Sequence, residues 1–191
     1  MALTRPAGTW TYDDLLSLPD DGKRYEIIEG DLFELPTPDM YHATTLINLV
    51  SLLHPTVESI GGRIYAAPLA VFFLGADPVQ PDIIVMTSDW DGRLRMRGAE
   101  GAPNLVIEIL DPSNRVHDPL TKRALYGRAR VREYWIVDPI ERMIDVFSLD
   151  GDALHLAQRA AGADAVVSPL LDGATFPLAA IFAKLDEIED E

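Results

Sequence analysis

The chain has 191 residues, 48% hydrophobic and 25% charged, the usage of a soluble globular protein rather than a disordered one. It contains no cysteine, which excludes disulfides, thiolate metal sites and a thiol nucleophile. A formal net charge of −15 argues, taken over the whole chain, against indiscriminate attraction to nucleic acid, because phosphate binding leaves a basic footprint.

The charge is unevenly spread. Residues 91 to 132 carry nine of the sixteen Lys and Arg against five acids. The length suits one domain over residues 1–191. Apolar runs such as Leu69 to Gly75 fall far short of the roughly 20 residues that cross a bilayer, so no membrane partner is expected. The opening "MALTRPAGTWTYDD" has neither an apolar h-region nor a small-residue cleavage site, which points to a cytoplasmic location.

In chain order, "TYDDLLSLPDDG" places Thr11 as an N-cap with Asp14 three residues on and stops at Pro19 and Gly22, which predicts a short helix. "RYEIIEGDLFEL" gives two β-rich runs about Glu29-Gly30-Asp31, a hairpin with Glu26 on its first strand. From Asp39 to about Ile60, the residues Leu46, Leu49, Val50, Leu53 and Val57 recur at three- and four-residue spacing, the stripe of a long helix that Pro55 should kink or end.

"GRIYAAPLAVFFLG" is strand-like, with Pro68 marking a bulge, an edge or a break between two strands. "DIIVM" (82–86) and "NLVIEIL" (104–110) have the Ile and Val content of strands covered on both faces, joined by a polar, arginine-bearing loop. Asp118-Pro119 opens a helix to about Arg130, as N-cap and first helical position. "EYWIVDP" and "RMIDVFSL" form a strand pair. After Gly151 the pattern weakens, with a last strand near Ala165 to Ser168, a helix from Leu178 and a solvated acidic tail. The order predicts a mixed α/β domain, α+β in character, around one sheet.

Two carboxylates stand out. Asp82 begins one buried strand and Glu108 sits inside the next, where an ionised carboxylate among Val, Ile and Leu needs a cation, a donor or a metal. On neighbouring strands the two can share one hard, oxygen-loving cation such as Mg²⁺. Lys122, early in the following helix, is placed to reach the pair, and Tyr126 follows on the same face at i, i+4. Each has a plainer alternative: a turn aspartate, a Glu paired with an arginine, a solvated lysine, and for Glu26 a water-facing strand residue.

"QPDIIV" followed by "GAPNLVIEILDPSNRVHDPLTKRALYGRARVREYWIVDP", with "RYEIIEGDLFELP" upstream and "VVSPLLDG" downstream, strongly resembles the Uma-two family, the restriction-endonuclease-like branch of the PD-(D/E)XK nuclease superfamily. The resemblance covers nearly the whole chain. It implies a restriction endonuclease-like core of helix, three strands, helix and strand over about 39–138, with an N-terminal helix and β-hairpin in 1–38 and strands and a helix in 139–191. It implies Asp82 and Glu108 as the metal-binding acids for Mg²⁺ or Mn²⁺. The superfamily's usual lysine lies two residues beyond the second acid, where this chain has Leu110; the family's lysine comes from the next helix, matching Lys122. Glu26 resembles the family's additional acid, and His42 and Tyr126 are accessory candidates.

The expected function is a metal-dependent endonuclease that hydrolyses DNA phosphodiester bonds, with Asp82, Glu108, Lys122 and Glu26 as catalytic residues. Arg93, Arg95, Arg97, Arg115 and Arg123 would contact the DNA backbone, and cutting both strands would suit a homodimer. The rival expectations are a catalytically inactive nuclease-fold interaction module and a metal-dependent hydrolase of small phosphoesters.

Overall fold

Residues 8–18, 24–28, 30–35, 37–74, 76–111 and 118–189 are described by a computed structural model. Helix α1, Tyr12–Leu16, starts at Thr11, whose side chain and that of Asp14 close a reciprocal capping box. Strands β1, Arg24–Ile28, and β2, Asp31–Leu35, pair antiparallel about Gly30 as the predicted hairpin. Helix α2, Met40–Ser59, follows, and Leu49, Leu53 and Val57 form its buried stripe. Each such side chain contributes about 1.5–3 kcal/mol on leaving water. Of the two effects expected of Pro55, a kink or an end, the second does not occur, and the helix runs on to Ser59. The proline lies on the exposed side near the C-terminal end, and the buried Leu53 and Val57 hold the helix on both sides of the missing hydrogen bond.

Strands β3, Arg63–Ala66, and β4, Ala70–Phe72, flank the cis Ala67–Pro68 bond, so Pro68 marks a break between strands. Next come β5, Ile83–Met86, β6, Arg93–Arg95, β7, Gly98–Glu100, and β8, Leu105–Ile109. Helix α3, Asp118–Arg128, leads to β9, Glu133–Asp138, β10, Met143–Asp150, β11, Ala153–Ala161, β12, Ala165–Ser168, β13, Ala174–Pro177, and the short helix α4, Leu178–Ile181.

Six strands form the main sheet in the order β11-β10-β9-β8-β5-β3. Among the described strands of this sheet only β8 and β9 pair in parallel, and α3 supplies the crossover that a parallel pair requires. With α2, β3, β5, β8, α3 and β9 in sequence, the expected order of helix, three strands, helix and strand is present. Strands β5 and β8 are buried on both faces, which explains their continuous Ile and Val runs. Ile83, Val85, Leu105, Ile107, Trp135 and Val137 pack with the α2 stripe. Ile84, Met86, Val106 and Tyr134 pack with Leu125 and Tyr126 of α3. Alternation on β8 therefore sends Glu108 to the α3 side, with Val106.

Three expectations need correction. The segment joining β5 to β8 is not a plain loop: β6 and β7 make a hairpin, and β7 also pairs with β4. Strand β11 occupies nine residues that were expected to be weakly patterned; it is a sheet edge with most side chains exposed, so no apolar alternation marks it. The helix from Leu178 is a single turn, and Leu185–Glu187 of the acidic end forms a 3-10 turn in which Asp186 pairs with Arg142.

Candidate active site

The site gathers where the N-terminal hairpin crosses the α3 side of the sheet. Glu26 on β1 is 1% exposed, Glu108 on β8 is 8% exposed and Lys122 on α3 is 2% exposed. Lys122 Nζ lies 3.1 Å from Glu26 Oε2, an ion-pair contact without hydrogen-bond alignment. It donates to Glu108 Oε2 at 3.3 Å and stands 3.3 Å from Glu108 Oε1. Tyr126, one helical turn beyond Lys122, donates its hydroxyl to Glu108 Oε1 at 2.5 Å. The second oxygen of Glu26, Oε1, accepts the Gln80 N–H at 2.7 Å.

Tyr126 is fully buried. Desolvation, and then the Glu108 charge, hold its phenol well above the usual range, so it remains a proton donor to Glu108.

Asp82 lies one residue before β5, 8% exposed. The Ile83–Ile107 pairing puts it opposite Glu108 when the register is carried one step on. Its Oδ2 accepts the Ile109 N–H at 2.8 Å and its Oδ1 is 3.1 Å from His42 Nε2. Asp39 caps α2 by accepting the His42 N–H at 2.8 Å, which fixes that first turn over the strand ends. His42 is buried, and its Nδ1 has no hydrogen-bond partner among the described residues.

Two linked groups result, Glu26–Lys122–Glu108–Tyr126 and His42–Asp82, joined through neighbouring positions 108 and 109 of β8. Among the described residues they place three buried carboxylates against one ammonium. Such an excess of buried negative charge is costly unless another cation or proton offsets it. The donor set is of the kind a hard divalent cation takes, carboxylate oxygens with a neighbouring imidazole. Among the described residues, however, no three His, Asp or Glu side chains are disposed together as a metal cage. Lys122 and Tyr126 already engage Glu108, so a cation there competes with the ammonium.

The expected backbone-contacting arginines are dispersed. Arg93, Arg95 and Arg97 lie exposed on the β6–β7 hairpin, Arg95 pairing with Glu100 at 3.0 Å. Arg123 packs its guanidinium 5.2 Å from the Phe147 ring centroid. Arg115 lies outside the described residues.

Sequence reasoning missed two backbone donors, Gln80 N–H and Ile109 N–H, which hold Glu26 and Asp82. It also missed Thr45, fully buried with Oγ1 unpartnered among the described residues. A signal was present: the α2 stripe begins with polar His42 and Thr45 before turning apolar at Leu49 and Leu53.

Residues 12–179 match the profile of the Uma2 family, described as "Putative restriction endonuclease". Among solved structures, the chain is similar to a "putative nuclease belonging to DUF820" from Anabaena variabilis ATCC 29413. The TM-score is 0.74 at 22% identity, covering 91% of this chain and 97% of the other; this is a likeness of fold. No curated protein matches the chain. Among the described residues no helix is long and apolar enough to cross a membrane.

Proposed function

As the chain belongs to the Uma2 family, we propose that it is a metal-dependent endonuclease hydrolysing DNA phosphodiester bonds. The observation that carries this reading is the burial of three carboxylates, Asp82, Glu108 and Glu26, two of them in contact with the buried Lys122 ammonium. Asp82 and Glu108 would hold Mg²⁺ or Mn²⁺, with Glu26 as an additional acid. When bound, such an ion supplies Lewis-acid polarisation of a phosphoryl oxygen.

The protein's own groups have separable tasks. Lys122, positioned by Glu26 and Glu108, offers a fixed positive charge to the phosphoryl group as its negative charge grows. Tyr126 holds the orientation of Glu108 by donating to Oε1. Ile109 N–H and His42 hold the two oxygens of Asp82. In the overall reaction water adds across the P–O ester bond, leaving a phosphate monoester and an alcohol, with no redox change.

The test is cleavage of supercoiled and linear DNA with Mg²⁺ or Mn²⁺, by wild type and by Asp82→Asn and Glu108→Gln. Activity in the wild type, lost in both variants while the fold is retained, is the expected result. Undiminished metal-dependent cleavage by either variant would defeat the assignment.

One observation favours a second reading. Lys122 already satisfies Glu26 and Glu108 within the chain, as a structural ion cluster would in a nuclease fold that serves only as an interaction module. Salt-independent binding to a protein, with no affinity for DNA, would support that reading, because phosphate binding weakens as salt rises.

A further inference from the structure

The β6–β7 hairpin takes no part in the carboxylate cluster. Strand β3 is the free edge of the main sheet, and between this edge and the hairpin lies an open cleft of about 470 Å³, within the range of small-ligand sites. Tyr65 and Ile84, paired across β3 and β5, line one wall, and residues 94–98 line the other. Gln80 also lines the cleft, and its N–H is the group that binds Glu26. The cleft thus meets the candidate active site through one residue.

The hairpin wall is seated closely. Gly98 runs at φ +154° in the β4–β7 pairing, and a Cβ there would fall 1.8 Å from the Ala70 carbonyl oxygen. Only glycine permits that approach, so the wall is fixed against β4.

The chemistry of the cleft is specific. Met96 is 103% exposed at the hairpin turn, and Tyr65 presents a third of its surface to solvent. Arg93, Arg95 and Arg97 alternate with Leu94 and Met96, a cationic ridge in a chain of net charge −15. The Arg93 and Arg97 side chains have no ion-pair or hydrogen-bond partner among the described residues. A flat aromatic ring, an exposed thioether and the available Arg97 guanidinium, all lining the cleft, suit a base with its attached phosphate. The amide of Gln80 adds a donor and an acceptor for a base edge.

We propose that this cleft holds an unstacked nucleobase of the strand being cut, with its ring against Tyr65 and Met96 and its phosphate at Arg97. The proposal rests on the nuclease reading and adds to it a base-binding subsite outside the carboxylate cluster.

The test compares fluorescence anisotropy of a labelled oligothymidylate with that of an abasic strand of equal length, in chelator so that neither is cut. Wild type should bind the base-bearing strand about 5- to 150-fold more tightly, the range expected for stacking one base. Tyr65→Ala should erase this preference while leaving abasic-strand affinity unchanged, and Tyr65→Phe should restore it. Arg97→Ala should weaken both strands alike and lower the salt dependence. Equal wild-type affinity for the two strands, with DNA cleavage intact, overturns the base site alone. A preference that persists in both Tyr65→Ala and Met96→Ala overturns it as well. No affinity for either strand, with no cleavage, removes the nuclease reading together with the site.

Discussion

Glu26 and Glu108, one from the N-terminal hairpin and one from an interior strand of the main sheet, share a single ammonium: Lys122 Nζ is 3.1 Å from the first and 3.3 Å from either oxygen of the second. This contact ties β1 to β8 and α3 through charge. Its removal leaves two buried carboxylates facing each other.

Lys122→Met should therefore destabilise the protein by about 3–5 kcal/mol, the usual cost of stripping one partner from a buried ion pair. Urea denaturation measures it, and adding Glu26→Gln should recover part of the loss. At one fixed Mn²⁺ concentration the ion should also stabilise Lys122→Met more than wild type, because it no longer competes with the ammonium and binds more tightly; a protein at one hundred times its Kd gains roughly 2.7 kcal/mol in total. A Lys122→Met protein as stable as wild type would show that the cluster contributes little.

Tyr126 gives a signature at high pH. Its phenol is held above the ordinary value by burial and by Glu108. For a group whose folded pKa is raised, the stabilising contribution is fully present below the unfolded value, about 10 for tyrosine, and is lost as pH rises through the folded value. Wild type should thus lose stability above about pH 10 more steeply than Tyr126→Phe. At neutral pH the same substitution should cost about 1.5–3 kcal/mol, as a lost hydrogen bond to a charged group. Parallel pH profiles of the two proteins would contradict this.

Legibility in the sequence followed burial. The α2 stripe, the two Ile and Val runs and the α3 crossover were readable because their side chains enter the core, and that burial imposes a period. Strands β6 and β7 are three residues each, β6 with every side chain exposed, so no pattern marks them. At the site, Glu108 and the Lys122/Tyr126 spacing were visible as a carboxylate in an apolar run and an i, i+4 pair. The contact between Lys122 and Glu26 depends on where the N-terminal hairpin docks, which no local pattern encodes. Backbone donors such as Ile109 N–H are silent in any sequence.

Glu133 is a further buried acid, remote from the proposed chemistry. It accepts from Trp135 Nε1 at 2.7 Å, Ser168 Oγ at 2.7 Å and Leu170 N–H at 3.0 Å, pinning the β12 segment to β9. Desolvation outweighs these bonds and raises its pKa. Its stabilising contribution is present below the unfolded value and fades as pH rises through the folded one. The stability difference between wild type and Glu133→Gln should therefore shift against wild type as pH rises from about 4 towards neutrality. Chemical denaturation at a series of pH values reads this, and a constant difference would refute it.

Asp82 separates structure from chemistry by choice of substitution. Its Oδ2 satisfies the Ile109 N–H at 2.8 Å, a donor that would otherwise be buried unpaired at the end of β8. Asp82→Ala removes that acceptor and should cost about 1–3 kcal/mol. Asp82→Asn keeps a carbonyl oxygen for Ile109 and should cost less. Both substitutions remove the negative charge beside His42, so both should abolish Mn²⁺ binding measured by calorimetry, although only the alanine variant is markedly less stable. If Asp82→Asn binds Mn²⁺ as wild type does, Asp82 is a structural cap on β8 and the metal, if bound, rests on Glu26 and Glu108. If instead the asparagine variant is as unstable as the alanine one, the loss comes from the missing charge rather than from the unpaired N–H, and the His42 contact carries more of the fold than the Ile109 bond does.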